Sequence, residues 1–245
     1  MAVIVKEVTT EAEFGAVVDC LWESYNDPYT PFMNILFPVF AATEEGYAAS
    51  VAESKTRLWS IHTGDPSSHW IYVTDDSGKV LSGGHWNFHE VSPYINGVPK
   101  LEAVWHPAGE GRAFASHILN EVYGFRGKRM WRPHAQLDMM FTYPEQRRKG
   151  YGSLLMKWGM DIAEKMGVEV LVEASDQGVH LYKKFGFRTI EKLAIDTLTD
   201  NPSNTWRRFE SDLRGLTFWW MWKPHGGIYE AGKTELPWVT KPKTQ

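Results

Sequence analysis

The chain of 245 residues contains a single cysteine, Cys20. One thiol cannot form an intramolecular disulfide, and it is too few for zinc sites built from two or four cysteines. The apolar stretch Ile35–Ala42 is short and contains Pro38, and no stretch approaches the roughly 20 residues of a membrane helix. The first residues, Met1–Lys6, lack the basic start and apolar run of a secretory signal. We therefore expect a cytoplasmic protein without disulfides or membrane contacts.

The chain also lacks a basic excess, since 26 Lys and Arg stand against 30 Asp and Glu, for a formal net charge of −4. Nucleic-acid-binding domains usually carry a positive surface, so nucleic acid is not an expected partner. Hydrophobic residues make up 43% of the chain and charged residues 23%, which is ordinary globular usage and excludes a disordered chain. Aromatic residues reach 14%, with 12 tryptophans, and supply large flat side chains for pocket walls.

Helix and strand patterns alternate along the chain in the order β-α-α-β-β-insertion-β-α-β-α-β-β. A capping box at Thr10–Glu13 opens the first helix. The insertion at 92–133 is predicted to be irregular, with a short helix at Gly111–Tyr123, and residues 223–245 form a tail. No linker separates two cores, so we expect one mixed α/β domain over residues 1–245.

Three segments in the second half of the chain carry further predictions. Asp176 is placed to cap a short helix that stops at Gly186. Trp206–Arg208 lie in a predicted polar loop between the last two strands. The last strand contains Phe218–Trp222, which is either core or the seam of a homodimer.

The most informative segment is Pro144–Ser153, a glycine-bearing turn between a predicted strand and a predicted helix. Free backbone N–H groups and the helix dipole attract an anion at such a helix start. Gly150 and Gly152 let a ligand approach the backbone, because they lack a side chain, and Arg147–Lys149 add positive charge. The turn predicts a pyrophosphate site, although an ordinary turn before a surface helix explains the two glycines equally well.

Together with the downstream segment Leu181–Phe187, this turn resembles the GNAT superfamily of acyl-CoA-dependent N-acetyltransferases. The family signature Gln/Arg-x-x-Gly-x-Gly/Ala is met by Arg147, Gly150 and Gly152, and the Leu-Tyr-x-x-x-Gly-Phe signature is met by the downstream segment. Glu173–Ser175 is similar to the fungal GNAT-domain group of unassigned substrate. The resemblance implies a central mixed, splayed β-sheet flanked by helices. It also implies acetyl-CoA as co-substrate and acetyl transfer to a primary amine.

The resemblance implies a cofactor site built largely from the main chain. The strand before the turn bulges and splays, and the pantetheine arm pairs with its backbone. The amides of the turn hold the pyrophosphate, and Asp176 stands where many members have an asparagine that contacts the cofactor. The residues implied in cofactor binding are Phe141, Thr142, Tyr143, Arg147, Arg148, Lys149, Gly150, Tyr151, Gly152, Ser153 and Asp176.

Three residues are the candidates for proton transfer. Tyr182 matches the family tyrosine that protonates the departing thiolate. An amine with a pKa of about 10 must lose a proton before it attacks, and Asp138 and Glu173 stand in apolar strands, where burial would raise the pKa of a carboxyl group and suit it as a base. A paired structural carboxylate is the equal alternative for both. Further candidates for the base are His85, His89 and Glu90.

The acceptor side of the site is less defined. An aromatic-walled pocket with carboxylates suits a small cationic or aromatic amine, and most of the aromatic candidates should be core residues. No metal is expected, because His85, His89 and His134 lack a tight ligand pattern. A peptide acceptor and a non-catalytic acyl-CoA-binding module stay open as alternatives. The aromatic candidates for the pocket are Phe32, Phe37, Trp86, Trp105, Trp131 and Trp206.

Overall fold

A computed structural model describes residues 4–239 of the chain. Its seven strands form one sheet in the order β1-β2-β3-β4-β5-β7-β6. The β4–β5 pair is parallel and the other pairs are antiparallel. The strands are β1 (Val5–Glu7), β2 (Ser68–Thr74), β3 (Val80–His89), β4 (His134–Thr142), β5 (Glu169–Ala174), β6 (Arg188–Ala194) and β7 (Thr217–Lys223).

Within the described residues seven α-helices accompany the sheet, and the predicted mixed α/β class with a central sheet flanked by helices is confirmed. None of the helices within residues 4–239 is long and apolar enough to cross a membrane. Residues 240–245 of the predicted tail lie outside the described residues. The helices are α1 (Glu11–Asn26), α2 (Met33–Leu36), α3 (Glu44–Gly64), α4 (Glu110–Arg129), α5 (Tyr151–Met166), α6 (Val179–Lys184) and α7 (Asn204–Asp212).

Local sequence signals explain where the first helix and the helix after the glycine turn begin and end. The predicted capping box of α1 is present, because the Thr10 hydroxyl accepts from the Glu13 amide at 3.2 Å and the Glu13 carboxylate accepts from the Thr10 amide at 3.1 Å. Helix α5 ends at Gly167, whose φ of 70° is the left-handed conformation that glycine adopts easily.

Two predictions of irregular structure are wrong. The insertion at 92–133 holds the 20-residue helix α4, which is longer than the predicted Gly111–Tyr123. The predicted polar loop around Trp206–Arg208 is the helix α7, whose first turn is capped by Ser203 through a 3.1 Å bond from the Trp206 amide. Both helices pack together through apolar residues such as Phe114 and Phe209, so tertiary contacts support helices whose sequences read as polar or mixed.

Both faces of the sheet are covered. On one face, α1 and α3 pack on Trp70 and Tyr72 of β2. On the other, α5 packs on Trp86, which is fully buried. Strand β7 lies between β5 and β6, and Trp220 and Trp222 have no exposed surface. Of the two roles predicted for Phe218–Trp222, core or homodimer seam, the strand therefore fulfils the first by supplying core residues.

Candidate active site

The centre of the sheet opens where two parallel strands part. Strands β4 and β5 pair from His134 with Glu169 to Leu137 with Val172, and no further. On the other side of β4, the register with β3 shifts at Asp138, which forms a bulge of one extra residue. A bulge bends its strand and increases the local twist. The strand ends beyond Leu137 and Val172 therefore lie apart, and the predicted splay is confirmed.

The backbone of β4 presents alternate residues to this gap. The Tyr143 amide donates to the Leu81 carbonyl of β3 at 3.1 Å, and the Phe141 carbonyl accepts from the Ser82 hydroxyl of β3 at 2.8 Å. Along a strand, the N–H and C=O groups of successive residues point to opposite sides. Phe141 and Tyr143 bond to β3, so the N–H and C=O groups of Met140 and Thr142 point towards the gap. Of the three residues predicted to contact the cofactor through the main chain, only Thr142 faces the gap, and Met140 was missed.

The glycine turn after β4 has the conformation that the sequence indicated. Arg148 and Gly150 both have positive φ, 63° and 91°. Positive φ values of this kind occur in turns whose backbone N–H groups point to one side and can bind an anion. The amides of Tyr151 and Gly152 open α5, and such first amides have no acceptor inside their helix. The Ser153 amide, which was predicted to face the phosphate, donates to the Gly150 carbonyl at 3.0 Å instead.

The three basic residues of the turn have different surroundings. Arg147 is held inside the structure, because its guanidinium donates to the Ser24 carbonyl at 2.7 Å and to the Thr142 carbonyl at 3.3 Å. It therefore fixes the turn against α1 rather than offering its side chain to an anion. Arg148 and Lys149 are exposed, and Lys149 donates to Gln146 at 2.8 Å. The positive charge available to a ligand comes from these two side chains.

A buried arginine joins the two separated strands. Arg126, near the end of α4, donates from Nε to Glu173 Oε1 at 3.0 Å and from Nη2 to Asp138 Oδ1 at 3.0 Å. The Arg126 and Glu173 side chains are only 9% and 13% exposed. Since buried charges require partners, this cluster is the arrangement that lets two carboxylates lie inside the opening of the sheet.

The predicted rise in the pKa of Asp138 is wrong. Burial alone would raise the pKa of this carboxyl group, but the Arg126 guanidinium and His85 together outweigh burial and hold the pKa well below its ordinary value. Asp138 is thus an ionised carboxylate paired with Arg126, and Glu173 is bound by the same guanidinium. The sequence could not show this, because Arg126 lies in the insertion that was predicted to be irregular.

Tyr182 lies where the gap meets α6. Its ring is 7% exposed and packs 5.9 Å from that of Phe187, and Tyr182 is part of the cavity wall. Burial raises the pKa of its hydroxyl, and Tyr25 adds to the effect. The phenol is therefore protonated at neutral pH. The Tyr25 hydroxyl donates a hydrogen bond to the Met140 carbonyl at 3.3 Å, in the same opening.

Asp176 does not cap α6. The residue before that helix is Gly178, and no side chain accepts its first amides. The Asp176 carboxylate instead accepts from the indole nitrogen of Trp219 in β7 at 2.6 Å. Asp176 lines the rim of the cavity, so its predicted contact with the cofactor stays a prediction.

The histidines of β3 lie near the opening but do not form a metal site. His85 Nδ1 is 3.4 Å from Asp138 Oδ2, whereas His89 faces His134 with 5.0 Å between ring centres. Across residues 4–239, no group of three His, Cys, Asp or Glu side chains is arranged to hold a metal ion.

One cavity of about 1290 Å³ is lined by Arg126, Asp138, Glu173, Tyr182 and residues of the glycine turn. That volume exceeds the roughly 300–1,000 Å³ of ordinary small-molecule pockets, so there is room for two ligands. One face of α4 lines the cavity. Along the helix, the side chains of this face change from apolar to charged, and they are Leu119, Val122, Tyr123 and Arg126. The sequence missed this face because it predicted an insertion without a long helix.

The six aromatic candidates divide between the cavity and the core. Phe32 and Trp105 line the cavity. Phe37 and Trp86 are buried among core residues, and Trp206 packs on Phe114 beneath α4. Trp131 donates its indole N–H to the Gly127 carbonyl. Only Phe37 and Trp86 are core residues, because Trp131 and Trp206 are half-buried, so the expectation that most of the six are core residues is wrong.

Comparisons with known proteins agree on one family. The model of the acetyltransferase (GNAT) family matches residues 21–187. The protein named "Probable acyltransferase SID5" of Ajellomyces capsulatus is 37% identical over 49 residues, and the match spans 20% of this chain and 36% of that protein.

Solved structures show the same fold. The first is described as histone acetyltransferase HPA2 and related acetyltransferase, from Corynebacterium glutamicum, with a TM-score of 0.56 and 20% identity over 92% of this chain and 97% of that one. The second, a mutant of agmatine N-acetyltransferase in its apo form, gives a TM-score of 0.57 and 14% identity over 90% and 97% of the two chains. At these identities the likeness is one of fold.

Proposed function

This chain belongs to the acetyltransferase (GNAT) family, whose model matches well over half of it, and from that membership we propose that it transfers the acetyl group of acetyl-CoA to a primary amine of a small molecule. Members of the family are acyltransferases that use acetyl-CoA as co-substrate. The observation that carries the proposal is the meeting of the splayed β4–β5 gap, the glycine turn and the Asp138–Arg126–Glu173 cluster in one cavity. We also propose that the chain acts as one domain, because all seven described strands share one sheet.

The groups that would hold acetyl-CoA fit its two polar parts. The N–H groups of Met140 and Thr142 are available to an amide-containing arm, since they face the gap, whereas the two carbonyls already accept from Tyr25 and Arg147. The free amides of Tyr151 and Gly152, with the helix dipole behind them, suit a pyrophosphate. Arg148 and Lys149 are exposed beside the same turn and add positive charge. The fit therefore rests on main-chain groups that a change of side chain would not remove.

Tyr182 is the proposed proton donor. When bound, acetyl-CoA supplies a thioester whose sulfur leaves as an anion. The Tyr182 hydroxyl is buried, protonated at neutral pH and part of the cavity wall, so it can give its proton to an anion that forms beside it. Gly178 makes room for the ring, because a Cβ there would lie 2.7 Å from Tyr182 Cε2.

The acceptor is proposed to be a small cationic amine. Two carboxylates and one guanidinium leave the cluster of Asp138, Glu173 and Arg126 with a net negative charge. An ammonium group beside Asp138 would balance that charge in a largely buried place, where electrostatic attraction is strong. The apolar side of the cavity, at Leu119, Val122 and Phe32, would take the carbon skeleton.

The test is calorimetric titration of acetyl-CoA into the purified protein, followed by an assay of thiol release across a panel of amines. Amine-dependent release with small amines would support the proposal. Release with peptides but not with small amines would overturn the acceptor class and leave the transferase. Binding without release for every acceptor would favour a non-catalytic acyl-CoA-binding protein, and no binding would overturn the cofactor site.

A further inference from the structure

A row of polar side chains leads away from the acceptor position through the protein. His85 Nε2 lies 2.9 Å from the Ser68 hydroxyl, and the same hydroxyl lies 2.9 Å from His62 Nδ1. The three residues come from β3, β2 and α3. Ser68 and His85 are buried, whereas His62 is half-buried. The row therefore connects the cavity with the outer part of α3.

The inner end of this row is a buried atom without a hydrogen bond. Within the described part of the chain, His85 Nδ1 has no hydrogen-bond partner, although it lies 3.4 Å from Asp138 Oδ2. Stacking on Trp70, with ring centres 4.6 Å apart, keeps the imidazole in this orientation. A buried polar atom without a hydrogen bond destabilises a fold, so its retention beside the carboxylate calls for a reason.

We propose that His85, Ser68 and His62 form a proton relay that carries the proton released by the acceptor amine from Asp138 to solvent beside α3. This inference rests on the proposed function, because it assigns a path to the proton that the amine must lose. His85 and Ser68 line the same cavity as Asp138, and the relay begins at Asp138, the carboxylate that receives the proton.

Each step of the relay breaks one bond to hydrogen and forms another. The ammonium N–H bond breaks as Asp138 Oδ2 accepts the proton and passes it to His85 Nδ1 in the same step, since Asp138 is too acidic to keep it. His85 Nε2–H then gives its proton to Ser68 Oγ, whose own proton moves to His62 Nδ1. His62 Nε2–H releases a proton to water, which leaves a neutral amine, one hydrated proton and both imidazoles protonated at Nδ1. Proton exchange with water returns both imidazoles to the Nε2–H form before the next turnover.

The surrounding charges favour this direction. The groups around His85 are Asp138 of β4, Arg126 of α4 through its bond to Asp138, and His62 of α3 through Ser68. Burial, together with His85 and His69, lowers the pKa of His62, against a smaller opposite effect of Glu7. A His62 that is neutral at neutral pH can accept a proton and does not retain it.

The relay is tested with His85→Gln and Ser68→Ala in a steady-state assay of the full chain. Both variants keep a polar or small side chain but interrupt proton transfer. We expect kcat at pH 7 to fall by about 10–100-fold, while the dissociation constant of acetyl-CoA changes less than twofold. Near pH 10 the deficit of both variants should shrink strongly, because about half of an amine with a pKa of about 10 is then already neutral. The matched controls are Ser60→Ala, on the exposed side of α3, and His225→Gln.

Three outcomes would overturn the relay. They are wild-type kcat in either variant, a deficit that persists unchanged at pH 10, and an equal loss of acetyl-CoA affinity, which would indicate a structural role. If the wild-type protein transfers to no amine, the proposed function fails, and NMR of protein labelled with nitrogen-15 histidine then decides on the relay. A neutral His85 protonated at Nε2 supports the relay, whereas protonation at Nδ1 contradicts its direction.

Discussion

The guanidinium of Arg126 holds the carboxylate of Glu173 with two nitrogens, Nε at 3.0 Å from Oε1 and Nη2 at 2.5 Å from Oε2. The same Nη2 reaches Asp138, so one side chain of α4 spans the ends of β4 and β5 after their pairing has stopped. The width of the opening is therefore set by a residue from outside the sheet.

Arg126→Met should leave two buried carboxylates without their partner. The removal of one member of a buried ion pair costs about 3–5 kcal/mol, and we expect a loss of that size in urea unfolding at pH 7. Without Arg126, burial should raise the pKa of Asp138 above its value in unfolded chains, so the loss should become smaller as pH falls and Asp138 is protonated. Lys157→Met, which removes an exposed pair with Asp161, should cost under about 1 kcal/mol. Similar losses in both variants would contradict the structural role of Arg126.

The sequence predicted those parts of the site that depend on neighbours along the chain. The turn at Gly150 and the position of Tyr182 follow from local motifs, and the order of strands and most helices follows from periodicity. The ion pairs of Arg126 could not be predicted, because its partner Glu173 lies 47 residues away along the chain. The predicted rise in the pKa of Asp138 was wrong for the same reason, since this pKa depends on a charge that only the tertiary structure brings close.

Some features were missed although the sequence carried a signal. Ser203 precedes α7 and caps it, and a search for caps in polar segments would have found that helix. The direction of the peptide groups of Met140 and Thr142 had no such signal. It depends on the one-residue bulge at Asp138 and on the register with β3, and a shift of one residue exchanges the two sides of a strand.

Tyr182→Phe should slow turnover without weakening cofactor binding. The variant removes one hydroxyl and keeps the ring that packs against Phe187. Loss of a proton donor typically costs about 100-fold or more, so kcat should fall by about that factor while the dissociation constant of acetyl-CoA stays within twofold. Tyr72→Phe, which removes a hydroxyl that donates to Glu13 at 3.0 Å, is the control and should keep wild-type kcat. An equal loss of kcat and of affinity in Tyr182→Phe would count against the proton-donor role.

Gly150→Asp should weaken acetyl-CoA binding by more than about tenfold. The substitution puts a carboxylate at the turn where a pyrophosphate is proposed to bind, and like charges repel. Gly78 offers a close control, since its φ of 87° matches the 91° of Gly150 and neither position has an atom within 4 Å of an added Cβ. Gly78→Asp should therefore bear the same backbone strain, about 1–2 kcal/mol, with unchanged affinity. Equal affinities in the two variants, measured by calorimetry, would remove the turn from the cofactor site.

Gly159→Ala should destabilise the fold, because α5 packs on Trp86 without space for a methyl group. A Cβ at this position would lie 2.2 Å from Trp86 Cε2, and Trp86 is fully buried. Overpacking of this kind costs about 1–3 kcal/mol. Gly124→Ala in α4 is the matched control, because nothing lies within 4 Å of the added atom, and the higher helix propensity of alanine should stabilise that variant by up to about 1 kcal/mol. Thermal unfolding of the two variants should shift in opposite directions, and a parallel shift would contradict the close contact at Gly159.

His134 should make stability depend on pH in the mildly acidic range. It is fully buried, its Nδ1 donates to the Arg132 carbonyl at 2.7 Å, and burial lowers its pKa to about 4. In the unfolded chain the pKa is roughly 6.5, so between these values the unfolded state binds a proton that the folded state does not. The free energy of unfolding should therefore fall by roughly 3 kcal/mol as pH drops from 7 to 4. His134→Gln should remove this part of the slope in urea unfolding at successive pH values. His225→Gln, at an exposed histidine, should keep the slope, and an unchanged slope in His134→Gln would show that folding does not lower the pKa of His134.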